Sequence, residues 1–437
     1  MITTPIHDFL RDYAAANAVR CHMPGDKGAE QPYDITEIYG ADSLYESAGI
    51  IRESERNAAA LFGAGDTLYS CGGSTLCIQG MLAVVRAGTA KRTIVAGRYS
   101  HASLVRAAAL LGFRLKTICP EEYLSAAVAP ETVAATIDGD TAAVFINAVD
   151  YYGGLSDIPA IAAVCRRAGV PLLADNAHGA YRLFTGDHPI ALGADMVADS
   201  AHKTLPALTG AAYLHLRDPV YRDAAKRGMA LFGSTSPSYL IMDSLDRCNR
   251  FLSEGGAAAR RVMDAVAALK RTLAERGYLL RRSDPLRVTV DAAEYGYTGD
   301  SFAAELRLRG AEVEMSDERY TILLFSASQP LADFPRLAAI LSDIPKRPPL
   351  DLPPHKLLRP EVVLSPRSAL FAPKETVAVE ASAGRVCASV VSPCPPCVPL
   401  VLPGERLAAD EITELTRYGV HLIECVRGDV RDFLRDL

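Results

Sequence analysis

Short apolar segments alternate with helix-length segments between about residues 61 and 216, and this alternation constrains the fold more than any other feature of the chain. The β-rich segments span residues 92–97, 142–148, 171–177, 196–200 and 211–216. Segments such as HASLVRAAALLG and IPAIAAVCRRAGV separate them and have the length and apolar spacing of helices. Continuously apolar strands that alternate with helices form mostly parallel sheets covered on both faces. We therefore expect an α/β protein with a three-layer domain that binds its ligand beyond the carboxyl ends of the strands.

The length of 437 residues predicts two or three domains, each with a core of its own. We expect an N-terminal arm over residues 1–60, a large domain over 61–245, a small α/β domain over 246–345 and a C-terminal domain over 346–437. The proline-rich segment 344–366 has the composition of a linker and marks the last of these boundaries.

Composition and charge exclude several kinds of partner. The net charge is −6 and the basic residues form no block, so neither nucleic acid nor an anionic membrane is indicated. No apolar run approaches the roughly 20 residues that span a bilayer, and the first residues lack the pattern of a signal peptide. We expect a cytoplasmic protein with a small-molecule ligand and no metal. The Cys394-x-x-Cys397 pair lies among prolines without a second pair or a nearby histidine, which favours a rigid turn over a zinc site.

Polar residues follow the predicted strands at the end of the sheet where a ligand is expected. Gly72–Thr75 opens a helix and offers either a phosphate-binding cradle, with the hydroxyls of Ser74 and Thr75, or an ordinary helix N-cap. Asp175 ends a fully apolar strand, where a carboxylate is costly unless a cation meets it, and His178 follows. The other such positions are His101, which also fits a helix cap, Asn147 and Asp150, which also fit a turn, and Ser200, His202 and Lys203.

Lys203 stands directly after one of these apolar strands. An ammonium without a partner in such a place tends to lose its proton and become a nucleophilic amine, whereas at many strand ends a lysine simply reaches solvent. A phosphate cradle, a buried acid, a flat side chain and a lysine together suit pyridoxal 5'-phosphate (PLP). This cofactor needs its phosphate bound, its pyridine nitrogen protonated and its aldehyde joined to a lysine.

Ordered motifs over nearly the whole chain resemble the fold type I, PLP-dependent Orn/Lys/Arg decarboxylases in their short form, which lacks an N-terminal receiver-like wing. The motifs are HMPGDKG (22–28), CGGST (71–75), DNAHGAY (175–181), DSAHKTLPALTG (199–210), STSPSYLIMDSLD (234–246), GYTGDSF (296–302) and PCPPCVPLVLPGE (393–405). The resemblance implies a PLP-dependent transferase-like large domain with a mostly parallel sheet, followed by one or more smaller α/β domains.

The same resemblance implies roles for individual residues. Lys203 would bind the cofactor's aldehyde, and Asp175 would pair with its pyridine nitrogen. The phosphate would be bound by Ser74, Thr75, Ser200 and His202. His101 would stack on one face of the ring, Ala177 would pack on the other, and His178 would lie near the ring's oxygen. Ser234 and Ser236 would reach the phosphate of the neighbouring subunit, which implies a homodimer or a larger homo-oligomer to which the N-terminal arm contributes.

The function that this resemblance implies is α-decarboxylation of arginine, lysine or ornithine to an amine, in polyamine-related metabolism. Glu314 is a candidate for the acid that receives the substrate's distal cation, and it also fits a solvated carboxylate at a strand edge. An aminotransferase or a Cβ lyase would use the same cofactor and fold. A non-catalytic relative would be expected to lack Lys203 or Asp175, and the chain has both.

The chain departs from the motifs of the family at several positions. The second histidine of PGHK is Asp26, the acid of DEAH is Asn176, the last histidine of that motif is Tyr181, and the glutamine after the lysine segment is Gly210. In the C-terminal region, Cys394 and Cys397 replace tyrosine and glycine, and Ser389 stands where glutamate is common. Because the cofactor residues are kept, the departures concern mainly the surroundings of the substrate.

Overall fold

The computed structural model describes residues 2–123, 125–393 and 398–428. Its strands, in chain order, are β1 (Asp66–Ser70), β2 (Thr93–Gly97), β3 (Arg114–Ile118), β4 (Thr141–Asn147), β5 (Leu172–Asp175), β6 (Met196–Asp199), β7 (Ala212–Leu216), β8 (Leu280–Arg281), β9 (Arg287–Asp291), β10 (Met315–Ser316), β11 (Tyr320–Leu324), β12 (Lys374–Ala378) and β13 (Leu422–Val426).

The α-helices connect and cover these strands. They are α1 (Pro5–Ala15), α2 (Ile50–Phe62), α3 (Gly73–Gly88), α4 (Ala102–Leu111), α5 (Pro130–Thr136), α6 (Ile158–Ala168), α7 (Ala201–Thr204), α8 (Arg222–Ala230), α9 (Tyr239–Glu254), α10 (Gly256–Glu275), α11 (Gly299–Leu308), α12 (Asp333–Ser342), α13 (Pro366–Phe371) and α14 (Ala409–Arg417). Among the described residues, none of the helices has the length and apolar character needed to span a bilayer.

The chain folds into two compact units built from separate stretches of sequence. The first contains residues 2–88, 171–265 and 325–331, and the second contains residues 89–123, 125–170, 266–324, 332–393 and 398–428. The domain limits expected at residues 60, 245 and 345 stay predictions, since these units are defined by contacts and not by order along the chain.

The first unit carries the strands β1, β7, β6 and β5 in that spatial order. β5 and β6 run parallel, with Asp175 level with Ala198, so their carboxyl ends lie side by side. β7 runs antiparallel to β6 and to β1. All four strands are buried along their whole length, and for β5, β6 and β7 this burial agrees with the largely apolar sequence expected of a sheet covered on both faces.

Helix α3 packs closely on α8 because each helix presents a glycine at the contact. A Cβ on Gly80 would lie 2.7 Å from Met229 Cγ, and one on Gly228 would lie 2.7 Å from the Cβ of Ala83. Both distances are shorter than a van der Waals contact, so a side chain at either glycine would push the helices apart. The start of α3 belongs to the candidate site, and this packing fixes the helix that carries it.

The second unit contains three groups of paired strands. The strands β4, β2 and β3 are parallel, β10, β11, β9 and β8 form an antiparallel sheet, and β12 pairs with β13. A buried ion pair holds the beginning of this unit to its C-terminal part. The Arg98 guanidinium binds both carboxylate oxygens of Glu405 and also donates to Leu400 O at 2.7 Å.

A buried carboxylate in the first unit holds the N-terminal helix. Asp246 Oδ2 accepts hydrogen bonds from the backbone N–H groups of Ile6 (2.9 Å) and His7 (3.0 Å) at the start of α1, and its Oδ1 accepts one from Ser54 Oγ. Burial, together with the nearby charge of Asp243, raises the pKa of Asp246 to about 6, although its hydrogen bonds act in the opposite direction. The folded protein therefore binds this proton more tightly than an unfolded chain does.

A raised pKa makes the contribution of Asp246 to stability fully present below about pH 4 and lost as the pH rises through about 6. Asp246→Asn keeps the side chain neutral at every pH. We expect the free energy of unfolding of the native protein, relative to that of this variant, to fall by about 2 kcal/mol between pH 4 and pH 7.5. Urea unfolding at a series of pH values measures this difference. Asp223→Asn, which changes an exposed acid, is the control, and parallel curves for all three proteins would contradict the prediction.

Candidate active site

The start of helix α3 has the form of a phosphate-binding cradle. Gly73 has a φ of +66°, in the left-handed region that favours glycine, and a Cβ there would meet open space. Ser200 Oγ donates a hydrogen bond to Ser74 Oγ at 2.9 Å, which brings hydroxyls from two chain segments to the same helix end, while Thr75 is exposed. Free N–H groups at a helix start and adjacent hydroxyls are the groups that bind a phosphate.

Asp175 occupies the carboxyl end of β5, as its position after an apolar strand predicts. The residue is only 5% exposed, and its Oδ1 accepts a hydrogen bond from the N–H of Ala177 at 3.1 Å. A buried carboxylate in this position favours a cationic partner, because burial without one is costly.

Lys203 lies on the short helix α7, directly after β6. Its Nζ is 3.0 Å from Nε2 of His178, which is buried. Because one nitrogen must donate and the other accept, the contact fixes the end of the lysine and gives it a partner with which to exchange a proton. His202 Nδ1 donates to Ala211 O at 3.0 Å, which leaves Nε2 as the other hydrogen-bonding atom of this ring.

The structure thus brings together the residues predicted at the ends of β5 and β6 and at the start of α3. A hydroxyl-lined helix start, a buried acid and a lysine within one unit match the phosphate, the pyridine nitrogen and the aldehyde of PLP. The residues present therefore fit this cofactor. Ala177, which is predicted to pack against the ring, follows Asp175 and Asn176 in the sequence and is buried.

The structure shows the following surroundings for the other predicted residues. Ser234 and Ser236 are exposed in the loop before α9, where the N–H of Ser236 donates to Ser234 Oγ at 3.1 Å. In the second unit, His101 caps α4 and its Nδ1 accepts from the N–H of Ser103 at 3.2 Å. Glu314 is exposed beside β10. The predicted roles of these residues stay predictions.

Asp150 and the Cys394-x-x-Cys397 pair are two further features that the sequence analysis considered. Asp150 forms a turn, because its carboxylate accepts the N–H groups of Tyr152 (2.9 Å) and Gly154 (2.8 Å), as well as that of Ala126 (3.0 Å). The alternative that explained this residue by a turn is therefore confirmed. The Cys394-x-x-Cys397 pair lies outside the described residues.

The sequence analysis missed a buried polar cluster behind the site. Asp199, the last residue of β6, lies between His188 and His215, and all three are at most 2% exposed. Burial alone would raise the pKa of Asp199, but its interactions with His188 and His215, including the hydrogen bonds that both rings donate, hold it well below its usual range. The signal in the sequence was an aspartate and a histidine inside otherwise apolar strands, MVAD and AYLHL.

Comparison with known proteins identifies the family. A family model described as "Orn/Lys/Arg decarboxylase, major domain" matches residues 4–292, and the model of the corresponding C-terminal domain matches residues 357–424. The chain belongs to the Orn/Lys/Arg decarboxylase family. It is accordingly an enzyme that decarboxylates a basic amino acid, and the family suggested by the sequence motifs is confirmed.

Individual members of the family are similar along almost the whole chain. The arginine decarboxylase of Halalkalibacterium halodurans is 29% identical, with 99% of this chain and 97% of the relative covered. That of Bacillus subtilis (strain 168) is 27% identical, with coverage of 94% and 92%. The solved structure of lysine decarboxylase A from Pseudomonas aeruginosa has a TM-score of 0.79 at 18% identity, covering 97% of this chain and 80% of that one. This similarity confirms the predicted fold class.

Proposed function

We propose that this family member uses PLP, bound to Lys203, to remove the α-carboxylate of arginine, lysine or ornithine. The observation that carries the proposal is the placement of Lys203, His178 and Asp175 at the adjacent carboxyl ends of two parallel strands. The phosphate cradle at α3 lies in the same unit, and Ser200 connects it to the lysine segment. The reaction takes one amino acid and one proton and yields one amine and one CO2.

Bound PLP supplies an electron sink for the pair of electrons that the Cα–carboxylate bond releases. Asp175 would keep the pyridine nitrogen protonated, because a nearby ionised carboxylate favours the protonated ring. Ser74, Thr75, Ser200 and His202 would bind the phosphate and so restrict the movement of the bound cofactor, which favours the reaction.

In this proposal, Lys203 and His178 exchange a proton during the reaction. The lysine must give up its proton to act as a nucleophile and must regain one when the amine product leaves. His178 Nε2, 3.0 Å from Nζ, is placed to take and return that proton.

We further propose that His101 stacks on the ring, that Ala177 packs on its other face, and that Ser234 and Ser236 bind the partner subunit's phosphate in a cytoplasmic homodimer. Glu314 remains our candidate for the substrate's distal cation.

Incubation of the purified protein and PLP with arginine, lysine and ornithine in turn tests this function. Arginine is the first substrate to test because the similar relatives named above are arginine decarboxylases. We expect amine and CO2 in equal amounts from at least one amino acid, and neither product from the boiled protein. An aminotransferase would instead convert the amino acid to its keto acid in the presence of an acceptor keto acid. Formation of the keto acid without CO2 would therefore contradict the proposal.

A further inference from the structure

Asp199 uses both of its carboxylate oxygens to join four segments of the first unit. Its Oδ1 accepts a hydrogen bond from Asn176 Nδ2 at 2.7 Å. Its Oδ2 accepts from Nε2 of His188 at 2.9 Å and from Nε2 of His215 at 3.2 Å. All four residues are at most 2% exposed, so no solvent replaces these bonds. A buried carboxylate with three donors is a strongly fixed point in the structure.

Two histidines and an aspartate with their ligand atoms this close also have the composition of a metal site. The hydrogen bonding at His188 argues against a metal. The N–H of Ile190 points at His188 Nδ1 (3.4 Å), so Nδ1 is the acceptor and the ring hydrogen is on Nε2. A metal bound at Nε2 would require the opposite tautomer. The cluster is therefore a hydrogen-bonded network centred on Asp199.

The position of this network in the chain connects it to the active site. Asn176 directly follows Asp175, and Asp199 directly precedes Ser200. Their side-chain hydrogen bond therefore joins the two strand ends that carry the proposed pyridine partner and the proposed phosphate and lysine residues. A main-chain bond from the N–H of Asn176 to Ala198 O (2.9 Å) lies beside it. The ring of Phe62 packs against both histidines. Its centroid lies 4.2 Å from the ring centroid of His215 and 5.0 Å from that of His188.

We propose that Asp199 is a positioning residue for the reaction, and that its bond to Asn176 sets the separation between Asp175 and the Ser200–Lys203 segment. The inference rests on the proposed function. The family motif DEAH has an acid at the position of Asn176, and in this chain the acid of the pair stands on the next strand. The side-chain hydrogen bond between positions 176 and 199 needs only one amide and one carboxylate. Either position can carry the amide, provided that the other carries the carboxylate.

Exchange of the two groups tests the proposal. In Asp199→Asn alone, two amides face each other and the ionised acceptor is lost. The double variant Asn176→Asp/Asp199→Asn restores one carboxylate and one amide, and the amide oxygen that it places at position 199 can still accept from both histidines. We expect the single variant to lose at least about tenfold in kcat with KM changed less than about threefold, and the double variant to recover to within about threefold of the native kcat.

Spectra without substrate separate positioning from a loss of folding. We expect the visible absorbance of lysine-bound PLP to be present in Asp199→Asn, with the midpoint of its pH titration displaced, and the midpoint of the double variant to return towards the native value. Asp243→Asn, which removes a carboxylate paired with His7 in the same unit, is the matched control and should leave the midpoint unchanged. Equal kcat and equal midpoints in Asp199→Asn and the native protein would overturn the inference, as would a double variant no better than the single one.

A second pair of variants applies if Asp199→Asn does not fold. His188→Gln keeps an N–H donor near the place of Nε2, whereas His188→Leu removes it. We expect the glutamine variant to keep kcat within about threefold and the leucine variant to lose at least about tenfold, and equal values would overturn the inference. If the native protein shows no visible band with PLP, the proposed function itself fails and the inference fails with it. A native band with unaltered variants contradicts the inference alone.

Discussion

Lys203→Ala is expected to lower turnover by at least about 10⁴-fold, which corresponds to about 5.5 kcal/mol of transition-state stabilisation. The variant lacks the amine that we propose binds the cofactor's aldehyde, and His178 loses the Nζ group that it contacts at 3.0 Å. It should also lack the visible absorbance of lysine-bound PLP. Measurement of CO2 release and of the absorption spectrum on the same preparation checks both expectations.

Two controls accompany this variant. Lys203→Arg keeps a long cation but cannot bind the aldehyde, so it should be as inactive as the alanine variant. Lys116→Ala removes an exposed lysine of β3 that pairs with Asp138, and it should behave like the native protein. Turnover of Lys203→Ala within about tenfold of the native rate would show that a different lysine carries the chemistry.

Asp175→Asn is expected to keep PLP bound but to lower turnover by at least about a hundredfold, about 3 kcal/mol of transition-state stabilisation. The amide keeps the shape of the carboxylate without its charge, so under the proposal the pyridine nitrogen loses the anion that keeps it protonated. The phosphate cradle and Lys203 are unchanged in this variant. We therefore expect normal binding of PLP, measured by its absorbance, together with slow release of CO2.

Asp243→Asn provides the comparison for a buried carboxylate of the same unit that pairs with a histidine outside the candidate site. It should retain most of the native turnover. An Asp175→Asn variant that decarboxylates at close to the native rate would show that the ring nitrogen has a different partner, and His178 would be the next residue to test.

The fold could be predicted where the strands are continuously apolar. The predicted strands at 92–97, 142–148, 171–177, 196–200 and 211–216 correspond to β2, β4, β5, β6 and β7, with ends shifted by a few residues. The strand β3, RLKTI, was missed because its exposed residues alternate with less exposed ones and three of its five side chains are polar. The strand β1, DTLYS, was missed because only two of its five side chains, those of Leu68 and Tyr69, are apolar.

Strand direction and helix continuity were harder to predict. Twelve residues separate β6 from β7, which is close to the shortest connection for a parallel crossover, and the structure has the antiparallel arrangement. In the structure, residues 239–275 form two helices, α9 and α10, which meet at Gly255 and Gly256 because adjacent glycines weaken a helix.

The candidate site shows the same limit. Asp175, His178 and Lys203 could be found because each lies at or just after the carboxyl end of a strand, and these ends meet at one edge of a parallel sheet. The network of Asp199 could not be assembled from the sequence, since its partners come from three other segments of the chain. A single polar residue in an apolar strand shows that a partner must exist, and the identity of that partner depends on the folded structure.

Reduction with borohydride followed by peptide mapping tests the central claim most directly. Borohydride fixes PLP irreversibly on the lysine that binds it, so the modified residue can be identified without any assumption about the substrate. The account predicts that the native protein, incubated with PLP and reduced, carries the modification on the peptide containing Lys203, and that Lys203→Ala carries none. Modification of any other lysine, or of none in the native protein, would contradict it.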